Sequence, residues 1–110
     1  MAIQSLNMHG QLLGVDDQKL IEEGMVYFTF WSDQDAIEAT MVVNGSRPEY
    51  GDKSFILKVT KASGESLSGR IKLTLPPRNS SGSDQTLTIF TVIFDDAVWH
   101  AQQCLGFLRY

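Results

Sequence analysis

The segment QTLTIFTVIF, residues 85–94, decides how this chain is expected to fold. In an extended conformation it presents apolar side chains on both faces. One face carries Leu87, Ile89 and Ile93, and the other carries Phe90, Val92 and Phe94. A strand that is apolar on both faces is typical of a central strand, covered by a second sheet or by a helix. We therefore expect this segment to lie in the middle of a layered β structure.

Two segments before it alternate with period two, which predicts strands with one buried face. They are SFILKVTK, residues 54–61, and GRIKLTL, residues 69–75. The side chains expected to point inward are Phe55, Leu57, Val59, Ile71, Leu73 and Leu75. The connection between the two segments contains Gly64, which can adopt a positive φ, and it therefore predicts a hairpin.

The first half of the chain shows the same alternation. MVYFTFW, residues 25–31, and IEATMVV, residues 37–43, predict a second hairpin joined by SDQDA, and IQSLNMHGQLL, residues 3–13, predicts a further strand. The inward faces are expected to carry Leu6, Met8, Leu12, Val26, Phe28, Phe30, Ile37, Ala39, Met41 and Val43.

Two segments have helical features. VDDQKLIEEG, residues 15–24, has Asp16 as a candidate N-cap and Gly24 as a candidate stop, although a long hairpin loop fits it as well. From Asp95 onward, two aspartates suit a helix start. Val98, Ala101, Leu105 and Leu108 then follow at helical spacing. A strand is the alternative for this tail, and the helix is favoured.

The length and composition place residues 1–110 in a single globular β-rich domain. We expect a mainly β fold, with α+β possible. The predicted architecture is an antiparallel β-sandwich or curled sheet of about six strands with a C-terminal helix. The biased segment PPRNSSGSD, residues 76–84, predicts a loop between two of those strands.

The charge is unevenly distributed along the chain, whose net charge is −4. Residues 1–52 carry nine acidic and two basic side chains, whereas residues 53–83 carry six basic side chains and one acidic one. Alternation along the two strands of residues 54–75 places Lys58, Arg70 and Lys72 on one outward face. This predicts a basic face that needs acidic neighbours or a partner, since like charges on adjacent strands repel.

The same composition sets expectations about compartment and partners. A single cysteine excludes an internal disulfide framework, and we see neither a signal-peptide pattern nor an apolar run of membrane-spanning length. We therefore expect a cytoplasmic protein with no membrane association. The sequence pI of about 4.9 opposes binding to nucleic acid.

Catalytic and metal signatures are weak. His100 and Cys104 stand four residues apart, so a helix would bring them to one face as a candidate thiol–imidazole pair. With His9 they would form a three-ligand zinc set, but the chain has no CxxC motif or paired-histidine motif. Acidic pairs at residues 16–17, 33–35 and 95–96 could gather a calcium ion only if the fold brought them together. We predict no catalytic residue, metal site or cofactor.

We therefore expect a non-enzymatic protein-binding module, such as an inhibitor, an adaptor or an assembly subunit. Its partner would be another protein or a second copy, bound through a sheet face, the C-terminal element or both. Candidate partner-binding residues are Tyr27, Trp31, Lys58, Arg70, Lys72, Trp99, Phe107 and Tyr110. The alternatives are a carrier of a small apolar ligand and a small enzyme that uses His100 and Cys104.

Overall fold

The computed structural model describes residues 3–31, 37–45, 47–75 and 87–109. These residues form a mainly β structure with one small C-terminal helix. The strands are β1 (Ile3–Leu13), β2 (Leu20–Trp31), β3 (Ile37–Asn44), β4 (Lys53–Thr60), β5 (Ser66–Thr74) and β6 (Leu87–Phe94), and the helix is α1 (Ala101–Arg109). Short 3-10 turns at Pro48–Tyr50 and Ala97–Trp99 precede β4 and α1.

The six strands close into an antiparallel barrel in the order β1-β2-β3-β6-β5-β4, with β4 paired back to β1. Strands β1 to β3 form a meander, and β4 returns to lie beside β1, which is a Greek-key arrangement. The predicted sandwich or curled sheet is therefore wrong, because the single sheet closes on itself. Closure gives each strand a neighbour on both sides along part of its length, and it shortens the open edges that a sheet would otherwise expose.

The interior of the barrel is filled by one alternate set of side chains from each strand. The buried apolar residues of the strands are Met8, Leu12, Val26, Phe28, Phe30, Ala39, Met41, Val43, Phe55, Leu57, Val59, Ile71, Leu73, Phe90 and Val92. The period-two alternation of the sequence is thus confirmed for these positions. Ile37 and Phe94 are partly buried against the same cluster.

The strand that the sequence places in the middle of a layered structure has only one covered face. Phe90 and Val92 point into the barrel, whereas Ile89 and Ile93 lie on the outside and are 50% and 47% exposed. Strand β6 does lie between β3 and β5. The prediction that both of its faces are covered is wrong, because a sheet closed on itself encloses a core on its inner side alone.

Two further inward assignments are wrong for local reasons. Leu75 lies beyond the end of β5 and is exposed. Leu6 is exposed because β4 pairs only with His9–Leu13 and does not reach the first half of β1. Residues 15–24 form a hairpin turn and the start of β2, so the hairpin alternative is confirmed and the helix is wrong.

A pair of glycines lets the strands approach closely inside the barrel. Gly10 on β1 is the register partner of Gly24 on β2, and both lie on the inward face. A Cβ on Gly10 would collide with the Val26 side chain, and a Cβ on Gly24 would collide with the Val42 carbonyl oxygen. Glycine at both positions therefore provides the space that a tightly curved sheet needs.

One end of the barrel, the Tyr50 end, is covered by the crossover from β3 to β4. Strands β3 and β4 lie on opposite sides of the barrel, so the connection between them must cross its opening. Tyr50 packs there against Phe55 and Phe90, with ring centroids 5.5 and 6.3 Å apart. Its ring extends the core to the opening of the barrel.

The opposite end, the Trp99 end, is covered by the tail, whose predicted helical character is confirmed. A 3-10 turn comes first, and α1 begins only at Ala101. The Phe94 ring stacks with Phe28 at 6.5 Å and contacts Trp99 at 5.3 Å between centroids. Cys104, Leu105 and Leu108 of α1 belong to the same buried cluster, so the tail completes the chain's own core.

Gly69 and Gly106 provide a matched test of this packing. A Cβ on Gly69 would collide with the Val98 side chain and lie 2.6 Å from Trp99 Nε1, whereas a Cβ on Gly106 meets no atom within 4 Å. We expect Gly69→Ala to lower the free energy of unfolding by about 1–3 kcal/mol through overpacking. Gly106→Ala should raise it by about 1 kcal/mol through helix propensity. Chemical denaturation followed by tryptophan fluorescence measures both, and equal stability of the two variants would contradict the packing.

Candidate functional site

The outer wall of the barrel carries a group of exposed apolar side chains across β2, β3 and β6. We call this group the apolar patch. It consists of the exposed residues Met25, Tyr27, Leu87, Ile89 and Ile93 and the half-buried Val42 between them. The pairing register builds it directly, because Met25 is opposite Val42, and Val42 is opposite Ile89. Residues directly opposite each other on adjacent strands point to the same side of a sheet.

A groove with a volume of about 440 Å³ lies within this surface, where β3 and β6 separate. Pairing between the two strands stops at Thr40 and Thr91, although β3 begins at Ile37 and β6 continues to Phe94. The lining of the groove includes Tyr27 and Glu38 on one side and Ile93 on the other. Separation of the strands thus adds a concave feature to an otherwise convex wall.

Charges of opposite sign lie on the two sides of the exposed β6 side chains. Glu38 lies on β3, two residues from Thr40 and therefore on the same outer face. Lys72 lies on β5 directly opposite Ile93. The outer face of β6 is therefore bordered by an acidic side chain on one side and a basic side chain on the other.

The predicted basic face exists on the outer wall of β4 and β5. Lys58 is opposite Ser68, and Arg70 is opposite Ile56, so no two of the basic side chains are direct partners. Arg70 Nε lies 3.8 Å from Asp95 Oδ2, an acidic residue that follows β6. The offset register and the neighbouring carboxylate together reduce the repulsion expected from the sequence.

The aromatic candidates of the tail are engaged within the chain. Trp99 is buried, and Phe107 is half-buried beneath Lys61, whose Nζ lies 4.9 Å from the ring centroid. Lys61 Nζ also donates a hydrogen bond of 2.7 Å to the Phe107 carbonyl oxygen and lies 3.0 Å from Glu65 Oε1. Tyr27 is exposed on the outer wall. Tyr110 and the side chain of Trp31 lie outside the described residues.

The candidate thiol–imidazole pair has an environment unsuited to nucleophilic chemistry. Cys104 is fully buried, and desolvation raises the pKa of its thiol to about 11. The thiol is therefore protonated at neutral pH, whereas the thiolate is the nucleophilic form. His100 is exposed, and the hydrogen bond between the two residues is a backbone one, from Cys104 N to the His100 carbonyl oxygen at 3.0 Å.

The residues considered for metal binding are dispersed. His9 lies on β1 with its Nε2 3.5 Å from Glu23 Oε1. Residues 16–17 lie at the Tyr50 end and residues 95–96 at the Trp99 end, while residues 33–35 lie outside the described part of the chain. Within the described ranges, no three His, Cys, Asp or Glu side chains form a group that could hold a metal ion.

A polar cluster at the Tyr50 end had no signal in the sequence, because its members are distant along the chain. Glu22 Oε1 accepts a hydrogen bond from Tyr50 Oη at 3.5 Å and lies 3.5 Å from Arg47 Nε. Burial, followed by the charge of Glu22, raises the pKa of Tyr50 above its ordinary value of 10.0. The phenol therefore stays protonated at neutral pH, and the cluster holds the crossover against β2.

Comparison with known proteins identified no related protein or family. The chain matches no protein-family model, no curated protein and no solved structure at a significant level. Among the described residues, the helical segments are too short and too polar to span a bilayer.

Asp96 links the Trp99 end to β5. Its Oδ1 accepts a hydrogen bond from Val98 N at 3.4 Å, and its Oδ2 accepts one from Arg70 N at 3.1 Å. These backbone hydrogen bonds, that from Arg70 first, hold the pKa of Asp96 below its ordinary value of 3.8. A carboxylate that caps free N–H groups is favoured in its charged form.

We expect this link to weaken in acid. Because the folded-state pKa of Asp96 is depressed, its contribution to stability is fully present above about pH 4 and is lost as the pH falls through the folded value. Asp96→Asn should therefore lose less stability than the wild type between pH 5 and pH 2. Thermal unfolding midpoints across that range measure the difference, and identical pH profiles would contradict the role assigned to Asp96.

Proposed function

We propose that this chain is a non-enzymatic protein-binding module that binds its partner on the apolar patch. The observation that carries the proposal is the set of exposed aliphatic side chains on the outer wall of β6, which are Leu87, Ile89 and Ile93, with the exposed Thr91 between the two isoleucines. Single exposed apolar residues are ordinary, but a contiguous group bordered by polar residues is typical of an interaction surface. Here the group spans three adjacent strands in register.

The chemical make-up of the apolar patch supports this assignment. Tyr27 contributes an aromatic ring with a polar hydroxyl, a combination enriched in binding hot spots. Ile89 and Ile93 together expose large aliphatic surfaces, and burial of such surface gains about 25 cal/mol per Å². The adjoining groove provides a recess for a side chain of the partner.

Other parts of the molecule give less support to the alternative functions. The side chains inside the barrel are almost fully buried, and a six-stranded barrel is narrower than the eight-stranded barrels that hold ligands. This favours a binding surface on the outside over an enclosed site for a carrier. The buried and protonated thiol of Cys104 argues against an enzyme that uses it as a nucleophile.

The binding surface that we propose is a sheet face and not the C-terminal element. Trp99 is buried in the core, where its Nε1 has no hydrogen-bond partner among the described residues, and Phe107 lies beneath Lys61. Both rings are therefore packed within the chain. Of the residues predicted to bind a partner, Tyr27 and Lys72 lie on or beside the apolar patch. We retain a reducing, cytoplasm-like compartment as part of the proposal.

A charge placed in the apolar patch tests this function. Ile89→Lys should reduce capture of the partner by about tenfold or more, because burying a lysine at the contact costs a large desolvation free energy. Ile21→Lys is the matched control, since Ile21 is 43% exposed and lies near the Tyr50 end of the barrel. The measurement is quantitative mass spectrometry of proteins captured by each tagged variant from a lysate of the source organism, with the tagged chain itself counted.

The proposal predicts a partner that the wild type and Ile21→Lys retain and that Ile89→Lys loses by about tenfold or more. Equal capture by all three proteins would show that binding does not use the apolar patch. Absence of any captured partner, together with a strictly monomeric wild type, would contradict the function itself. Circular dichroism on all three proteins establishes that the substitutions leave the barrel folded.

A further inference from the structure

We infer that the partner of the apolar patch is a second copy of this chain, related to the first by a two-fold axis that runs along β6. This inference rests on the proposed function and specifies its partner. Three observations on the outer wall carry it: the apolar side chains of β6, the opposite charges beside them, and the convex shape of the wall around the groove.

The outer face of β6 forms a narrow stripe in which Leu87, Ile89 and Ile93 are all exposed. The wall of a closed barrel curves away on both sides of any strand, so two copies can meet only along a strand and its neighbours. The most exposed aliphatic line on this part of the wall is β6 itself. Two such stripes packed together bury the same residues on both copies, as an isologous interface requires.

The charges on the two sides of β6 are complementary under this symmetry. A two-fold axis that runs along β6 leaves positions along the strand unchanged and exchanges its two sides. It therefore places β3 of one copy over β5 of the other. Lys72 is opposite Ile93, and the β3–β6 register, continued two residues past its last pair at Thr40 and Thr91, brings Glu38 level with Ile93. Glu38 of each copy then faces Lys72 of the second copy.

Glu38 and Lys72 of the two copies remain within reach of each other when the axis is shifted slightly. If the axis lies midway between β3 and β6, Glu38 falls over Ile93 of the second copy, and Lys72 is one strand spacing of about 4.8 Å away. The long side chains of Glu and Lys cover that distance.

In this arrangement the groove of one copy faces the β5–β6 boundary of the other copy. It lies between β3 and β6, and Glu38 is part of its lining. The position that faces it across the axis is the boundary of β5 and β6, where Lys72 and Ile93 lie side by side. An aliphatic side chain and a lysine from the second copy thus meet a recess that is lined by apolar and threonine side chains and has the Glu38 carboxylate at its border.

Opposite charges beside an apolar stripe set specificity and orientation more than they set total affinity. Contact between two convex walls also keeps the interface near the small end of known interfaces. We therefore expect a reversible dimer whose population depends on protein concentration and falls with added salt.

The experiment is sedimentation equilibrium of the full chain over a range of concentrations, with single and paired charge reversals. Glu38→Lys and Lys72→Glu should each weaken dimerisation by about tenfold or more, because each creates two like-charge contacts across the axis. The double variant with both reversals should return the dissociation constant to within about threefold of the wild type. Lys19→Glu, in the turn between β1 and β2, is the control and should behave as wild type.

Each outcome bears on the inference. A wild type that stays monomeric at hundreds of micromolar overturns the inference of a dimer. The proposed function still stands in that case if Ile89→Lys loses capture of a different protein. A dimer that Glu38→Lys, Lys72→Glu and Ile89→Lys all leave unchanged overturns the inference, because the copies then meet elsewhere. Weakening by single reversals without recovery in the double variant rejects the two-fold axis along β6. Circular dichroism and thermal unfolding verify that every variant is folded.

Discussion

The pairing of β4 with β1 is the constraint on which the rest of the structure depends. The last five residues of β1, His9–Leu13, pair with β4, and this is the only ladder that joins β1–β3 to β4–β6 on that side of the described barrel. Once this ladder forms, the β3–β6 ladder can close the opposite side, and the β3 to β4 crossover must pass over one opening. Gly10 belongs to this ladder, and with its β2 partner Gly24 it gives the strands room to curve.

Closure also determines which surfaces face water. A sheet closed on itself buries one face of every strand, so any apolar side chain on the other face must stay exposed or meet another molecule. Strand β6 shows the consequence, since Phe90 and Val92 fill the core while Ile89 and Ile93 lie outside. The tail and the crossover cover only the openings, because Trp99 and Tyr50 pack at the ends of the barrel. The fold thus leaves the outer wall as the surface open to a partner.

Much of this fold was predictable from local pattern, and its closure was not. Period-two alternation identified the inward residues of most strands, such as Leu57 and Ile71, because a half-buried strand must alternate. The same rule misassigned Leu75, which follows the strand, and it could not say whether Ile89 meets a second layer or water. Pairing between strands distant in sequence, such as β1 with β4, leaves no local signal. The site was predictable only in part. The sequence identified Tyr27 and Lys72 as candidates, but Glu38 lies beside them only because β3 pairs with β6, a pairing that leaves no local signal.

The central claim is that the two seams of the barrel, β1–β4 and β3–β6, close in the same molecule. Nuclear Overhauser contacts between backbone protons of paired strands test this most directly, because protons of adjacent antiparallel strands lie within about 5 Å. The account predicts cross-strand contacts at both seams in one set of resonances, between Gly10 and Val59 and between Met41 and Phe90. Contacts at one seam with none at the other would show an open sheet or a sandwich, and would contradict the closed barrel and the exposed outer wall that follows from it.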